Sequence, residues 1–176
     1  IFDNGIAKGQ KVGEGRYLLH IDTKSGVKDC TVITKNGLVS KVTVDMGRAE
    51  LAPEKIPVRL EGEQVVDKPI SIGGNVYRIT CCSMGNPHCT VFVPSVDKLD
   101  LQDLGPKFEN DPMFPDRVNV SFVEVIDQHT LKARIWERGS GETMACGTGT
   151  CAAVVAATLN GYCEKGKDIR VILKGG

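Results

Sequence analysis

The residues able to do chemistry gather around one sulfur, Cys146. Between Trp136 and Asn160 the chain carries an acid and a base (Glu137, Arg138), a glycine-rich loop, the cysteine, and then an alanine-rich run. A helix start leaves backbone N–H groups unpaired and carries the positive end of the dipole, so an anion placed there is stabilised. A free thiol titrates near about 8.5, and a helix N-terminus draws it down, so this arrangement predicts a Cys146 enriched in thiolate at neutral pH. Gly147 and Gly149 let the loop bring its N–H groups close to a ligand, and a substrate carboxylate is the natural guest.

A second set lies upstream. Gly85-Asn86-Pro87-His88 places a carboxamide and an imidazole on a constrained turn, where Asn86 can donate and accept and His88 can take or return a proton near neutral pH. Asn119 is polar within an apolar run, so it either satisfies a backbone group or points into a site.

Each feature has a plainer reading. Gly147-Thr148-Gly149-Thr150-Cys151-Ala152 formally fits the dinucleotide fingerprint, but that pattern needs a strand directly before it and an acid closing the next strand. Here the strand ends near Trp136 and Asp168 precedes the following strand. Cys146 could be a structural thiol in a glycine turn, since unpaired cysteines are usually buried and inert. Asn86 and His88 could form a self-satisfied Asx turn with an exposed ring, and Glu137-Arg138 an ordinary strand-end ion pair.

The elements that must position these residues follow from pattern. Ala and Leu favour helix over 150–159 and Asn160-Gly161 stops it; with no polar face, that helix is expected to be buried on nearly all sides. Segments 16–22, 27–34 and 38–45 read as an antiparallel meander, with turns at Lys24-Ser25-Gly26 and Asn36-Gly37. In the third segment Leu38, Ser40, Val42 and Val44 share one face, expected to be core. A domain boundary is expected near residue 48, where Pro53 and Pro57 enter a polar stretch. Further strands are expected at 69–72, 76–82, 89–93, 117–125, 130–136 and 168–173, with short helical turns over 97–110 broken at Gly105-Pro106. Many strands around one long helix make the fold class α+β.

Composition sets bounds. The chain has 176 residues, with Lys+Arg 22 against Asp+Glu 22, so no broad electrostatic footprint for nucleic acid exists and a small-molecule partner is favoured. No run approaches a membrane span, and the start is no signal peptide, so the chain reads as cytosolic. Seven cysteines without Cys-x-x-Cys pairs, and three histidines off zinc spacing, imply reduced thiols and no metal site. The opening on Ile1 and the stop at Gly175-Gly176 read as those of a fragment.

Gly85-Asn86-Pro87-His88, Glu137-Arg138-Gly139-Ser140-Gly141-Glu142-Thr143 and Ala145-Cys146-Gly147-Thr148-Gly149, in that order, resemble the diaminopimelate epimerases. Met46-Gly47 and Arg117-Val118-Asn119 extend the likeness over nearly the whole chain. The resemblance implies two similar halves, each a curved, barrel-like antiparallel or mixed sheet around a central helix, acting without cofactor on LL- and meso-diaminopimelate as a homodimer. Residues 1–48 would end the first half and 49–176 form most of the second, without its final strand. The first-half motif Cys-Gly-Asn-Gly-Ala-Arg is absent, so one of two catalytic thiols is missing and the chain alone is expected to be inactive. By resemblance Cys146 is the other thiol, His88 and Glu137 assist proton movement, and Asn86, Asn119 and Arg138 bind the distal carboxylate. Glu137 also borders the substrate, and the Gly147 and Thr148 N–H groups hold the α-carboxylate. Proline racemases and hydroxyproline epimerases resemble the same fold, and a non-catalytic amino-acid-binding module is a third reading.

Overall fold

Residues 2–23 and 26–176 are described by the computed structural model, and contacts divide the chain into two units, one ending at Gly47 and one beginning at Arg48. In the first, β1 (Gln10–Gly13), β2 (Arg16–Thr23), β3 (Gly26–Lys35) and β4 (Leu38–Val44) form an antiparallel sheet in sequence order. Asn36 and Gly37 have φ of 54° and 81°, the backbone a type I′ turn requires, and the chain reverses there as Asn-Gly predicts. Lys24 and Ser25 of the other expected turn lie outside the described residues. β1 was not expected: Gln10-Lys11-Val12-Gly13 has one apolar residue worth the name, and pairing with β2 makes it a strand.

The alternation expected in β4 breaks at Ser40. Ile33 faces Lys41 but Thr34 faces Val39, so Ser40 is the extra residue of a bulge, its hydroxyl donating to the Ile33 carbonyl at 3.0 Å. Val39 is thereby turned toward Val32 and joins a small core with Leu19, Cys30 and Tyr17, while Leu38, Val42 and Val44, expected inside, are exposed.

In the second unit β5 (Lys68–Ile72) and β6 (Asn75–Ser83) form a hairpin across Gly73-Gly74. β7 (Pro87–Phe92) runs back along β6 with His88 opposite Cys82, so Met84-Gly85-Asn86 make a hairpin turn and Pro87 and His88 already belong to the strand. α1 (Leu101–Glu109) is one continuous helix where one or two short turns broken at Gly105-Pro106 were expected. Asp100 caps it, accepting from the N–H groups of Gln102 and Asp103. Gly105 serves packing and breaks nothing: a Cβ there would lie 2.1 Å from Cδ2 of Trp136.

β8 (Asn119–Asp127), β9 (Thr130–Glu137), β10 (Gly141–Thr143), α2 (Gly147–Leu159) and β11 (Arg170–Ile172) complete the unit. Its sheet is mixed and open, ordered β10-β9-β8-β7-β6-β5, with β7 parallel to β8 and β11 parallel to the start of β9. Side chains alternate between two faces. Ile79, Cys89, Phe122 and Trp136 pack in one core with Leu101 and Phe108 of α1, whereas Val123, Leu131 and Ala133 meet Ala153 and Ala157 of α2. The architecture is α+β.

α2 differs from expectation in its cover. Ala152, Ala153, Ala156 and Ala157 are buried, but Cys151, Val154, Val155 and Thr158 are half-buried and Leu159 is exposed. The helix has no polar face, yet it has a small face and a large one. The alanines let it lie close on the sheet, and of the bulkier residues Val154 still packs against the same core as Ala153 and Ala157.

All seven cysteines are free. Among the described residues no helix is long and apolar enough to cross a membrane.

Candidate active site

α2 begins three residues earlier than its propensities suggest, because Cys146 itself is the capping residue. Its φ of −140° and ψ of 108° are extended, its carbonyl accepts the first helical bond from Thr150 N–H at 2.9 Å, and its sulfur accepts from Gly149 N–H at 3.4 Å. Gly149 packs closely: a Cβ would stand 2.8 Å from Ile135 Cδ1 and 3.2 Å from the Cys146 sulfur, so a larger residue would have to displace the isoleucine tip. The N–H groups of Gly147 and Thr148 open the helix with no backbone acceptor among the described residues, and Gly147 is exposed. An anion can therefore approach beside the sulfur.

Cys146 is 7% exposed. Burial pushes the Cys146 thiol above its usual range; the Thr148 hydroxyl and the Gly149 N–H pull it down by less, and the Glu137 carboxylate adds to the rise. The thiolate-rich cysteine expected from sequence is thus corrected, since desolvation outweighs hydrogen bonds of 3.4 and 3.5 Å. At rest this residue is the thiol.

Glu137 ends β9 and faces that sulfur. β10 folds back along β9, so Thr143 lies opposite Ile135 and its hydroxyl donates to Glu137 Oε1. β10 is held in turn through Glu142, which accepts from Arg134 Nε at 2.8 Å and Lys174 Nζ at 3.2 Å; these cations keep its carboxyl below the usual range. The Gly175 N–H donates to the Met144 carbonyl at 2.8 Å and fixes the loop that enters Cys146.

His88 is 0% exposed, unlike the exposed ring of the plainer reading. Burial, with the Arg138 charge as a smaller cause, lowers its pKa to about 4, so the imidazole is neutral at pH 7. Its Nε2 lies 3.0 Å from Asn86 Oδ1, and Asn86 Nδ2 donates to Thr148 Oγ1 at 3.4 Å, which lies 3.5 Å from the Cys146 sulfur. A file of polar groups thus joins ring to thiol without direct contact. His88 Nδ1 has no hydrogen-bond partner among the described residues.

Asn119 is spent largely on the backbone. Its Nδ2 donates to the Pro87 carbonyl at 2.8 Å and its Oδ1 accepts from Arg138 N–H at 3.0 Å, tying the Gly-Asn-Pro-His turn to the Glu-Arg turn. The half-buried Arg138 makes no ion pair among the described residues, so the strand-end pair with Glu137 is absent. One nitrogen donates to the Asp116 carbonyl at 2.6 Å. The remaining guanidinium donors suit a carboxylate fork.

Sequence reasoning brought Cys146, Glu137, Thr148, Asn86 and His88 into one neighbourhood, and the structure places them there. It missed the Thr148 and Thr143 hydroxyls, although both residues lie inside quoted motifs. It also missed Glu109, which no local pattern marks.

The family model for diaminopimelate epimerase matches residues 80–176. A diaminopimelate epimerase of Desulfovibrio desulfuricans is 43% identical over all of this chain and 60% of its own length. One of Geobacillus kaustophilus is 49% identical over 89% of this chain and 54% of its own. The chain therefore spans about 60% of the length of curated relatives it matches. Among solved structures, a probable proline racemase from Agrobacterium radiobacter K84 superposes with TM-score 0.68 at 16% identity, covering 97% of this chain and 53% of that one. A hydroxyproline epimerase from Agrobacterium vitis gives 0.66 at 15% identity, covering 97% and 52%, and both share the fold. The three separated motifs, the capped thiol and the family match converge: this chain belongs to the diaminopimelate epimerase family.

Proposed function

We propose that this chain supplies one catalytic half of a cofactor-independent epimerase that interconverts LL- and meso-diaminopimelate, a step toward lysine, in the cytoplasm and as a homodimer. The observation that carries the reading is Cys146, capping α2 with a carboxylate facing its sulfur and free N–H groups beside it.

Inversion at an α-carbon needs two groups on opposite faces. One thiolate removes the α-proton, the electron pair of the broken C–H bond moves into the α-carboxylate as an enolate, and a thiol on the other face returns a proton to carbon. Cys146 is one of the two sulfurs. The other comes from outside these residues, so the chain alone does not invert its substrate. The Gly147 and Thr148 N–H groups hold the carboxylate where charge develops. A resting thiol makes Cys146 ready as donor; in the reverse direction its raised basicity suits the weakly acidic α-carbon at the expense of thiolate population. Glu137 accepts a proton from, or returns one to, the sulfur, and neutral His88 orients Asn86 and so the Thr148 hydroxyl.

Arg138, with Asn86 and Asn119 behind it, binds the distal carboxylate. A cyclic amino acid has no such group, so a guanidinium without a carboxylate partner among the described residues speaks against the proline racemase reading. The test compares turnover of LL-diaminopimelate with that of proline by the complete polypeptide. Turnover of the former alone supports the proposal, and turnover of proline alone overturns it.

A further inference from the structure

Glu109 lies in the last turn of α1, the negative end of the helix dipole, with 8% of its side chain exposed. A carboxylate persists in such a place only when donors surround it. Glu109 has three. Its Oε1 accepts from Arg117 Nη1 at 2.9 Å and from Gly139 N–H at 2.8 Å, and its Oε2 accepts from the Trp136 indole N–H at 2.7 Å. Trp136 and Gly139 bracket Glu137 and Arg138. The opposite side of that turn is held by Asn119, which accepts from Arg138 N–H at 3.0 Å. The turn between β9 and β10 is thus clamped at both ends by one side chain from α1.

We propose that Glu109 is a positioning residue for substrate binding: by fixing the turn at Trp136 and Gly139 it aims the Arg138 guanidinium at the distal carboxylate. This rests on the reading of Arg138 given above. A preset guanidinium avoids ordering cost on binding. The distal carboxylate does not change during proton transfer, so its contacts hold substrate and transition state alike and affect KM more than kcat.

The test uses the complete epimerase. Glu109→Gln replaces one acceptor oxygen with a donor that faces Trp136 or Gly139, and KM for LL-diaminopimelate is expected to rise about tenfold with kcat within about threefold. In an Arg138→Ala background the same change adds no further KM rise. Unchanged KM, or a KM rise undiminished without Arg138, overturns the assignment. Arg117→Gln covers the case in which the first variant does not fold: that side chain is 52% exposed. It removes one donor, with a KM rise of about threefold expected and an unchanged KM contradictory. Amide hydrogen exchange at Arg138 and Gly139 is independent of turnover and should quicken at least about tenfold in Glu109→Gln. Unchanged exchange overturns the clamp whatever the substrate; faster exchange in a protein that does not turn over diaminopimelate counts against the substrate reading alone.

Discussion

His88 Nε2 lies 3.0 Å from Asn86 Oδ1, an amide oxygen that can only accept, while Nδ2 of the same amide reaches Thr148 Oγ1 at 3.4 Å. With the amide so oriented the contact calls for the Nε2–H tautomer, which leaves Nδ1, without a partner among the described residues, free of hydrogen. A buried neutral ring so placed is a spacer between Asn86 and the sheet more than a proton store.

That placement makes stability depend on pH. The His88 pKa falls from 6.5 to about 4 on folding, so between those values the unfolded chain binds a proton that the folded one refuses. Stability is fully present above 6.5 and is lost as pH falls toward 4, by about 3 kcal/mol. Urea unfolding at pH 7 and 4.5 should show the loss in the wild type and a smaller one in His88→Gln. Equal losses in both would contradict the assignment.

The Thr148 hydroxyl pulls the Cys146 thiol down against burial. Thr148→Val removes it, so the thiol moves further up and alkylation of Cys146 at pH 8, followed by peptide mass mapping, slows about threefold. Faster alkylation would mean that the hydroxyl does not face the sulfur.

Gly105 lies against the face of Trp136, the chain's one tryptophan. Gly105→Ala would favour helix locally yet drive a methyl into the ring, so a net loss of about 3 kcal/mol is expected with a shift in tryptophan emission. A stabilised variant with unshifted emission would show that the ring gives way freely.

What could be read from sequence was what is local. Asn36-Gly37 names its turn because both positions need positive φ, and Cys146 was visible because a glycine loop precedes an alanine run. The helix start was placed at Thr150 because Gly147, Thr148 and Gly149 are poor helix formers, and the cap that overrides them depends on the sulfur and a carbonyl. Gly105-Pro106 looked like a break because the reason for the glycine lies in Trp136, far along the chain. Val39 changed sides through a bulge that alternation alone does not announce. The raised Cys146 thiol was missed because burial, unlike helix position, is a property of the whole fold. Glu109 was silent in sequence because all three of its partners come from other elements.

The most direct measurement gives LL-diaminopimelate to the complete polypeptide in deuterated water, wild type beside Cys146→Ala, and follows configuration and α-deuterium together. The wild type should yield meso product carrying deuterium at the inverted carbon, and the variant should lose inversion by about a thousandfold or more. Inversion retained in Cys146→Ala would remove this sulfur from the reaction.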